Sequence, residues 1–125
     1  MGVSCLIVDD NPRFLRAART LLEREGLTIS GVATTSADAL RQAATLEPDV
    51  VLVDVSLGDE SGFELAKRLV ADHARGAVIL ISTRSEGELA DAIRLSPAAG
   101  FLVKSELSAE AIRSLLDGTN ARRGR

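Results

Sequence analysis

Five short, mostly apolar runs divide the chain; four of them stop at a polar residue, and each is followed by a segment with helical spacing. The runs cover residues 5–8, 27–32, 50–53, 77–81 and 101–103, of which 27–32 is the weakest. Aliphatic runs rich in Val, Ile and Leu are typical of strands that are buried on both faces. The pattern therefore predicts five strands that alternate with helices.

Capping and helix-breaking residues delimit these helices. Asn11 and Pro12 form a cap and a first turn for the first helix, and Gly26 ends it. The second helix is capped by Thr34, Thr35 or Ser36 and ended by Pro48, and the third runs from Gly62 to about Asp72. Ser85 with Glu88 forms a capping box for the fourth helix, and the fifth is capped by Ser108 and ended by Gly118. From the helical spacing, we expect one face of the second and of the third helix to face the core. The core-facing residues would be Leu40, Ala43 and Ala44 in the second helix, and Phe63, Ala66, Leu69 and Val70 in the third.

Alternating strands and helices, joined by short connections, require a parallel sheet with helices on both faces. Right-handed crossovers leave few topologies, and the flavodoxin-like strand order 2-1-3-4-5 is the expected one. The predicted fold class is therefore α/β, a doubly wound five-stranded parallel sheet in a three-layer sandwich. We expect one domain over residues 1–118, and a C-terminal tail or the start of a linker over residues 119–125.

Composition narrows the class of protein further. A chain of 125 residues with 46% apolar and 26% charged residues fits one globular domain, and the 2% aromatic content makes its core aliphatic. A net charge of −3 argues against a nucleic-acid surface. The single cysteine, Cys5, is expected to be a buried thiol in a reducing compartment.

No leader or bilayer-spanning run is evident, so we expect a cytoplasmic domain without membrane contact. The lone His73 is expected to be solvated, since no second histidine could share a metal.

Polar side chains that could bind a ligand or take part in a reaction follow four of the five predicted strands. Asp9 and Asp10 end the first strand, Asp54 the third, Ser82 and Thr83 the fourth, and Lys104 the fifth. The carboxyl ends of parallel strands lie at one edge of the sheet, which is where ligands bind in such folds. The sequence therefore predicts that three carboxylates, a hydroxyl and an ammonium converge.

This set of groups suits phosphoryl transfer. Three neighbouring carboxylates repel one another, and a hard cation with oxygen ligands, Mg²⁺, relieves that repulsion. Asp54 would then be a carboxylate nucleophile able to attack phosphorus. Phosphoryl transfer requires in-line positioning and neutralised equatorial oxygens. Mg²⁺ would neutralise one oxygen, Lys104 a second, and the Ser82 hydroxyl with the Thr83 backbone N–H the third.

Five segments carry a family resemblance that extends over essentially the whole chain. They are Val8-Asp9-Asp10, Val53-Asp54-Val55 followed by Gly62-Phe63-Glu64-Leu65, Ile81-Ser82, and Gly100-Phe101-Leu102-Val103-Lys104. In this order and spacing the chain resembles the receiver domain of a bacterial two-component response regulator, of CheY-like fold. The segment Lys104-Ser105-Glu106-Leu107 is similar to receivers of the luminescence-regulator (LuxR/NarL) class, which precede a helix-turn-helix.

The resemblance implies a function and a set of roles. A sensor histidine kinase or a small phosphodonor would phosphorylate Asp54, with Mg²⁺ held by Asp10, Asp54 and the Ser56 carbonyl, and with Asp9 nearby. Ser82 and Phe101 would form a switch pair that reshapes the surface of helix four, strand five and helix five. That surface would control an output domain or downstream protein, transcription among the outputs, and could also form a homodimer. Such a domain is not an enzyme, although it assists its own phosphorylation and dephosphorylation.

Three questions stay open at the level of the sequence. A docking domain that works without phosphorylation would keep the same fold, and so would an FMN-binding flavodoxin-like protein, although Asp9 and Asp10 would repel the FMN phosphate. The receiver could stand alone or be joined to an output domain. Many receivers have a cis proline where this chain has Ser105, and we expect a trans Lys104–Ser105 bond because a cis one costs about 3–4 kcal/mol.

Overall fold

Five parallel strands form the central sheet in the computed structural model, which describes residues 2–72 and 76–123. The strands are β1 (Ser4–Val8), β2 (Thr28–Ala33), β3 (Val50–Asp54), β4 (Ala77–Ser82) and β5 (Gly100–Val103). They pair in the order β2-β1-β3-β4-β5, and every pairing is parallel. The predicted fold class and strand order are therefore confirmed.

Five helices connect and follow the strands. They are α1 (Pro12–Arg24), α2 (Ser36–Leu46), α3 (Gly62–Asp72), α4 (Ala90–Leu95) and α5 (Ala109–Arg123). Single 3-10 turns precede α4 at Gly87–Leu89 and follow β5 at Lys104–Glu106. Between β3 and α3 the chain forms a short antiparallel hairpin, Ser56–Leu57 with Glu60–Ser61, which the sequence pattern did not predict. In the part of the chain that the structure describes, no helix has the length and apolarity to cross a bilayer.

The predicted end of the last helix at Gly118 is wrong, since α5 continues to Arg123. Gly118 does not take the left-handed conformation of a terminating glycine. An exposed glycine inside a helix costs only about 1 kcal/mol relative to alanine, which is too little to end it. The role of residues 119–125 as a tail or linker stays a prediction. The prediction for His73 falls outside the described residues.

Two apolar layers, one on each face of the sheet, make up the core. Alternating strand residues divide between them, so that Leu6 and Val53 face the layer under α2 and α3, whereas Ile7 and Leu52 face the layer under α1 and α5. Cys5 belongs to the second layer, and its burial, which was predicted, raises the pKa of the thiol to about 12. Both faces of the sheet are therefore covered, and only its edges remain for function.

Two residues predicted to face inward are on the surface instead. Ala44 is exposed, and Val70 is 39% exposed. Ala39 and Leu65 take the corresponding buried positions. The difference arises because short helices with apolar residues at several adjacent positions fit more than one inward face. Helix α4 is a special case, since none of its residues is buried and Leu95 is 74% exposed.

Asn11 fixes the start of α1 at the edge where β1 ends. Its Oδ1 accepts hydrogen bonds from the backbone N–H groups of Arg13 (3.0 Å) and Phe14 (3.3 Å), and Pro12 occupies the first helical position. This is the cap that the sequence predicted. It sets the direction in which the first turn of α1 leaves Asp9.

We expect Asn11→Ala to lower the free energy of unfolding by about 1 kcal/mol, because two backbone donors lose their acceptor. Urea denaturation followed by circular dichroism measures the change. Asn11→Ser, which retains a capping oxygen, should stay close to the wild type. An alanine variant as stable as the wild type would contradict this account of the helix start.

Candidate functional site

The register of the sheet brings the ends of four strands to the same level. Val8 pairs with Val53, Asp54 with Ile81, and Ser82 with Val103. Asp9 and Lys104 directly follow β1 and β5, so they emerge at the edge where Asp54 and Ser82 end their own strands. The polar residues predicted to share an edge therefore do so.

Lys104 bridges two carboxylates that come from different strands. Its Nζ lies 2.6 Å from Asp9 Oδ2 and 3.1 Å from Asp54 Oδ2. The Asp9 side chain is fully buried, and that of Lys104 is only 13% exposed. Buried charges require such pairing, since an isolated ion would carry a large desolvation cost. The ion pair is thus the electrostatic centre of this edge.

One oxygen of Asp9 is left without a hydrogen bond. Asp9 Oδ1 accepts from the backbone N–H of Asn11 at 2.9 Å. Asp9 Oδ2 is buried and, among the described residues, has the ion pair with Lys104 but no partner with hydrogen-bond geometry. A buried carboxylate oxygen in this state can accept a further cation.

Asp10 completes an acidic cluster with Asp9 and Asp54. One carboxylate oxygen from each residue lies within 4.8 Å of the other two, and Asp10 is exposed whereas its neighbours are buried. Two oxygens on one Mg²⁺ ion, at about 2.0–2.1 Å each, are at most about 4.2 Å apart. Small side-chain rotations would therefore suffice for the three carboxylates to hold a hard divalent cation.

The site carries more negative than positive charge, and the pKa values reflect this. Burial, with a further contribution from the charge of Asp9, raises the pKa of Asp54, although the Ser56 backbone N–H and Lys104 oppose the change. Burial lowers the pKa of Lys104, but its contacts with Asp9 and Asp54 raise it by more, so the net change is upward. Burial is thus the main cause of the raised pKa of Asp54, whereas the two neighbouring carboxylates are the cause of the raised pKa of Lys104.

The remaining predicted site residues surround this centre at different distances. Ser82 is buried, and its Oγ accepts from the backbone N–H of Arg84 at 3.0 Å. Thr83 is exposed in the loop that follows β4. The backbone N–H of Ser56 donates to Asp54 Oδ1 at 3.1 Å. Phe101 packs in the core layer under α2 and α3. The direct contacts therefore join Asp9, Asp54 and Lys104, with the Ser56 backbone N–H on Asp54, while Ser82, Thr83 and Phe101 form the surroundings.

Gly62, whose role the sequence analysis missed, allows α3 to begin directly against Asp54. Its backbone N–H donates to Val55 O at 2.9 Å. A Cβ atom at Gly62 would overlap the carbonyl oxygen of Asp54 and lie 2.7 Å from Val55 Cα. Only a residue without a side chain permits this approach, so Gly62 fixes the backbone that carries Asp54. The signal in the sequence was a glycine at the first position of a helix, since glycine has a low helix propensity.

Two further residues near the site were not predicted to have roles there. Glu60 Oε1 accepts from the backbone N–H of Ser36 at 2.9 Å, which ties the hairpin after β3 to the start of α2. The ring of Phe14 lies under Lys104, with the ring centroid 4.3 Å from Nζ. The sequence pattern treated Phe14 only as an apolar residue of α1. The Lys104–Ser105 peptide bond is trans, as predicted.

Known proteins match this chain over most of its length. Residues 5–117 match the family model of the response regulator receiver domain. The chain is 34% identical over 101 residues to a Pseudomonas aeruginosa protein named as a transcriptional regulator, covering 81% of this chain and 49% of that protein. It is 28% identical over 114 residues to the response regulator GacA of Pseudomonas viridiflava, covering 90% of this chain and 53% of GacA. The chain therefore spans about half the length of these curated relatives.

A solved structure supports the same fold assignment. The crystal structure of a LuxR-family two-component response regulator from Aurantimonas sp. SI85-9A1 matches with a TM-score of 0.84, covering 94% of this chain and 87% of that chain. The sequence identity is 23%, so this likeness is one of fold.

We expect Gly62→Ala to lower the free energy of unfolding by about 1–3 kcal/mol, because the new methyl group overlaps backbone atoms that cannot move independently. Gly118→Ala is the matched control: among the described residues, nothing beyond its own stretch of helix lies within 4 Å of the added Cβ, and the helix should gain about 0.5–1 kcal/mol. Urea denaturation measures both changes. Equal effects of the two substitutions would contradict the proposed close approach.

We expect Asp54→Asn to raise the free energy of unfolding at neutral pH in the presence of EDTA. The folded state raises the pKa of Asp54 above its ordinary value of 3.8, so the ionised carboxylate destabilises the fold at higher pH. This penalty, and with it the advantage of asparagine, should shrink as the pH falls towards 3.8. Urea denaturation across pH measures the difference, with Asp117→Asn, at an exposed position, as the control. An Asp54→Asn variant less stable than the wild type at neutral pH would show that Asp54 is not under electrostatic strain.

Proposed function

This chain belongs to the response regulator receiver domain family, and we propose that Asp54 is its phospho-acceptor, modified by a sensor histidine kinase or by a small phosphodonor. The observation that carries the proposal is the position of Lys104, whose Nζ lies 3.1 Å from Asp54 Oδ2 beside three clustered carboxylates. A carboxylate oxygen of Asp54 forms a new bond to phosphorus. The bond from phosphorus to the donor breaks, and the donor leaves with the electron pair.

Lys104 and Ser82 supply charge and hydrogen bonds to the transferring group. The Lys104 ammonium, which now pairs with Asp54, would contact a phosphoryl oxygen once that carboxylate is esterified. The Ser82 Oγ accepts a hydrogen bond from Arg84, so its own proton remains available to donate to a second phosphoryl oxygen. The Thr83 backbone N–H would add a further donor. Fixed donors at the oxygens where charge develops are the main requirement of phosphoryl transfer.

Asp9, Asp10 and Asp54, together with the Ser56 carbonyl, would hold the Mg²⁺ ion. The buried Asp9 oxygen that lacks a hydrogen bond fits this role, as does a ligand set made only of oxygens. When bound, Mg²⁺ neutralises the carboxylates and one oxygen of the phosphoryl group. The chain's own residues then orient the donor and stabilise charge on the transferring group, so this receiver assists its own phosphorylation and dephosphorylation without acting on other substrates.

Phosphorylation would switch the surface formed by α4, β5 and α5. A phosphoryl group at Asp54 would draw the Ser82 hydroxyl towards it and with it the loop after β4. Phe101, on the neighbouring strand, would adjust its packing as this loop moves. Since α4 packs on the core only through partly buried residues such as Ile93, its placement is weakly held and would respond to such a change. This surface would engage an output domain or downstream protein, with control of transcription as one output, and could form a homodimer.

We expect wild-type protein incubated with acetyl phosphate and Mg²⁺ to gain the mass of one phosphoryl group, detected by intact-protein mass spectrometry. Asp54→Asn should gain none, because asparagine lacks the nucleophilic carboxylate, and EDTA should abolish the gain in the wild type. Asp59→Asn, in the exposed turn of the hairpin, is the control and should be modified like the wild type.

Two results would contradict the proposal. An Asp54→Asn protein that still gains the phosphoryl group would move the acceptor elsewhere. A wild-type protein that gains none, with acetyl phosphate or with a cognate kinase, would favour a docking domain that works without phosphorylation.

A further inference from the structure

Lys104 Nζ has three neighbours of two different kinds. Asp9 Oδ2 and Asp54 Oδ2 lie 2.6 Å and 3.1 Å away, and the Phe14 ring centroid lies 4.3 Å away. An ammonium within about 6 Å of an aromatic centroid is attracted by the negative face of the ring. The aromatic contact therefore adds to the attraction of the carboxylates.

The Phe14 ring is held by the fold and not by the lysine. Its backbone N–H donates to the Asn11 cap at 3.3 Å, which fixes the first turn of α1. Its side chain is partly buried against the core layer that α1 and α5 share. A ring anchored in this way keeps its place when the charges around Lys104 change.

We propose that Phe14 is a positioning residue for Lys104, holding the ammonium at the rim of the site while the charges of its two carboxylate partners are redirected. The inference rests on the proposed function. In that reaction the Asp54 carboxylate becomes an acyl phosphate and Asp9 shares its charge with Mg²⁺, so Lys104 exchanges the Asp54 carboxylate for a phosphoryl oxygen and is held less strongly by Asp9. The attraction of the ring is the same before and after phosphorylation.

Two substitutions at position 14 distinguish the positioning of Lys104 from simple packing in the core. Leucine at position 14 would fill much of the same space and keep the apolar contact with the core, but it has no π face. Tyrosine would retain both the space and the ring. An effect seen with leucine and absent with tyrosine therefore reports the aromatic contact, whereas an effect shared by both reports altered packing.

The first experiment is a double-mutant cycle on the rate of phosphorylation by acetyl phosphate. We expect Phe14→Leu to slow the wild type about tenfold, the size of a desolvated cation–π contact. Phe14→Tyr should retain most of the rate. In a Lys104→Gln background, Phe14→Leu should have less than about a twofold effect, because the two substitutions remove the same interaction.

The second experiment does not depend on phosphorylation. The chain has two lysines, Lys67 and Lys104, whose side chains are 57% and 13% exposed. We expect Phe14→Leu to increase the rate at which acetic anhydride modifies Lys104 about tenfold relative to Lys67, as measured by peptide mass spectrometry. Phe14→Tyr should leave this ratio close to that of the wild type.

Two results would overturn the inference: equal slowing by Phe14→Leu in both backgrounds, or an unchanged ratio of Lys104 to Lys67 modification. Failure of the proposed function looks different. In that case the wild type acquires no phosphoryl group at Asp54, while the modification experiment still tests the contact between Phe14 and Lys104.

Discussion

The ammonium of Lys104, held between Asp9 and Asp54, is the interaction on which the organisation of this edge depends. It connects the ends of three strands, β1, β3 and β5, in a region where two carboxylates are buried. Removing Lys104 would leave two buried carboxylates uncompensated, at a cost of about 3–5 kcal/mol. Asp10 lies nearby, so the three carboxylates and one ammonium keep a net negative charge. The ion pair therefore holds the site together without neutralising all of its carboxylates. This unsatisfied charge makes the edge receptive to a cation.

Much of this arrangement could be predicted from the sequence, because the topology of the sheet determines which residues that are distant in the sequence become neighbours in the fold. Once five strands alternate with helices, their carboxyl ends must share an edge, and the residues that end them become neighbours. Asp9, Asp54 and Lys104 are far apart in the chain and in direct contact in the fold. The strand order and the trans Lys104–Ser105 bond were likewise predictable. The roles of the individual residues in phosphoryl transfer are hypotheses that chemistry must test.

The features that could not be predicted depend on distances between elements. Gly62 is required because α3 starts against the Asp54 carbonyl, and the glycine at the helix start does not by itself reveal that approach. Phe14 has the spacing of an ordinary core residue, and its contact with Lys104 depends on where α1 lies relative to β5. The continuation of α5 through Gly118 reflects a small local penalty that the rest of the helix outweighs.

Helix α4 differs from its neighbours in how little it contributes to the core. None of its residues is buried, a 3-10 turn precedes it, and Leu95 is largely in solvent. Displacing such a helix would forfeit little apolar contact, so alternative placements differ by a small free energy. Under the proposed function, one covalent modification, worth a few hydrogen bonds and one or two charges, would then bias the balance. Because α4 is loosely packed, only a small change in free energy at the site would be needed to alter the surface that the domain presents to a neighbouring domain or protein.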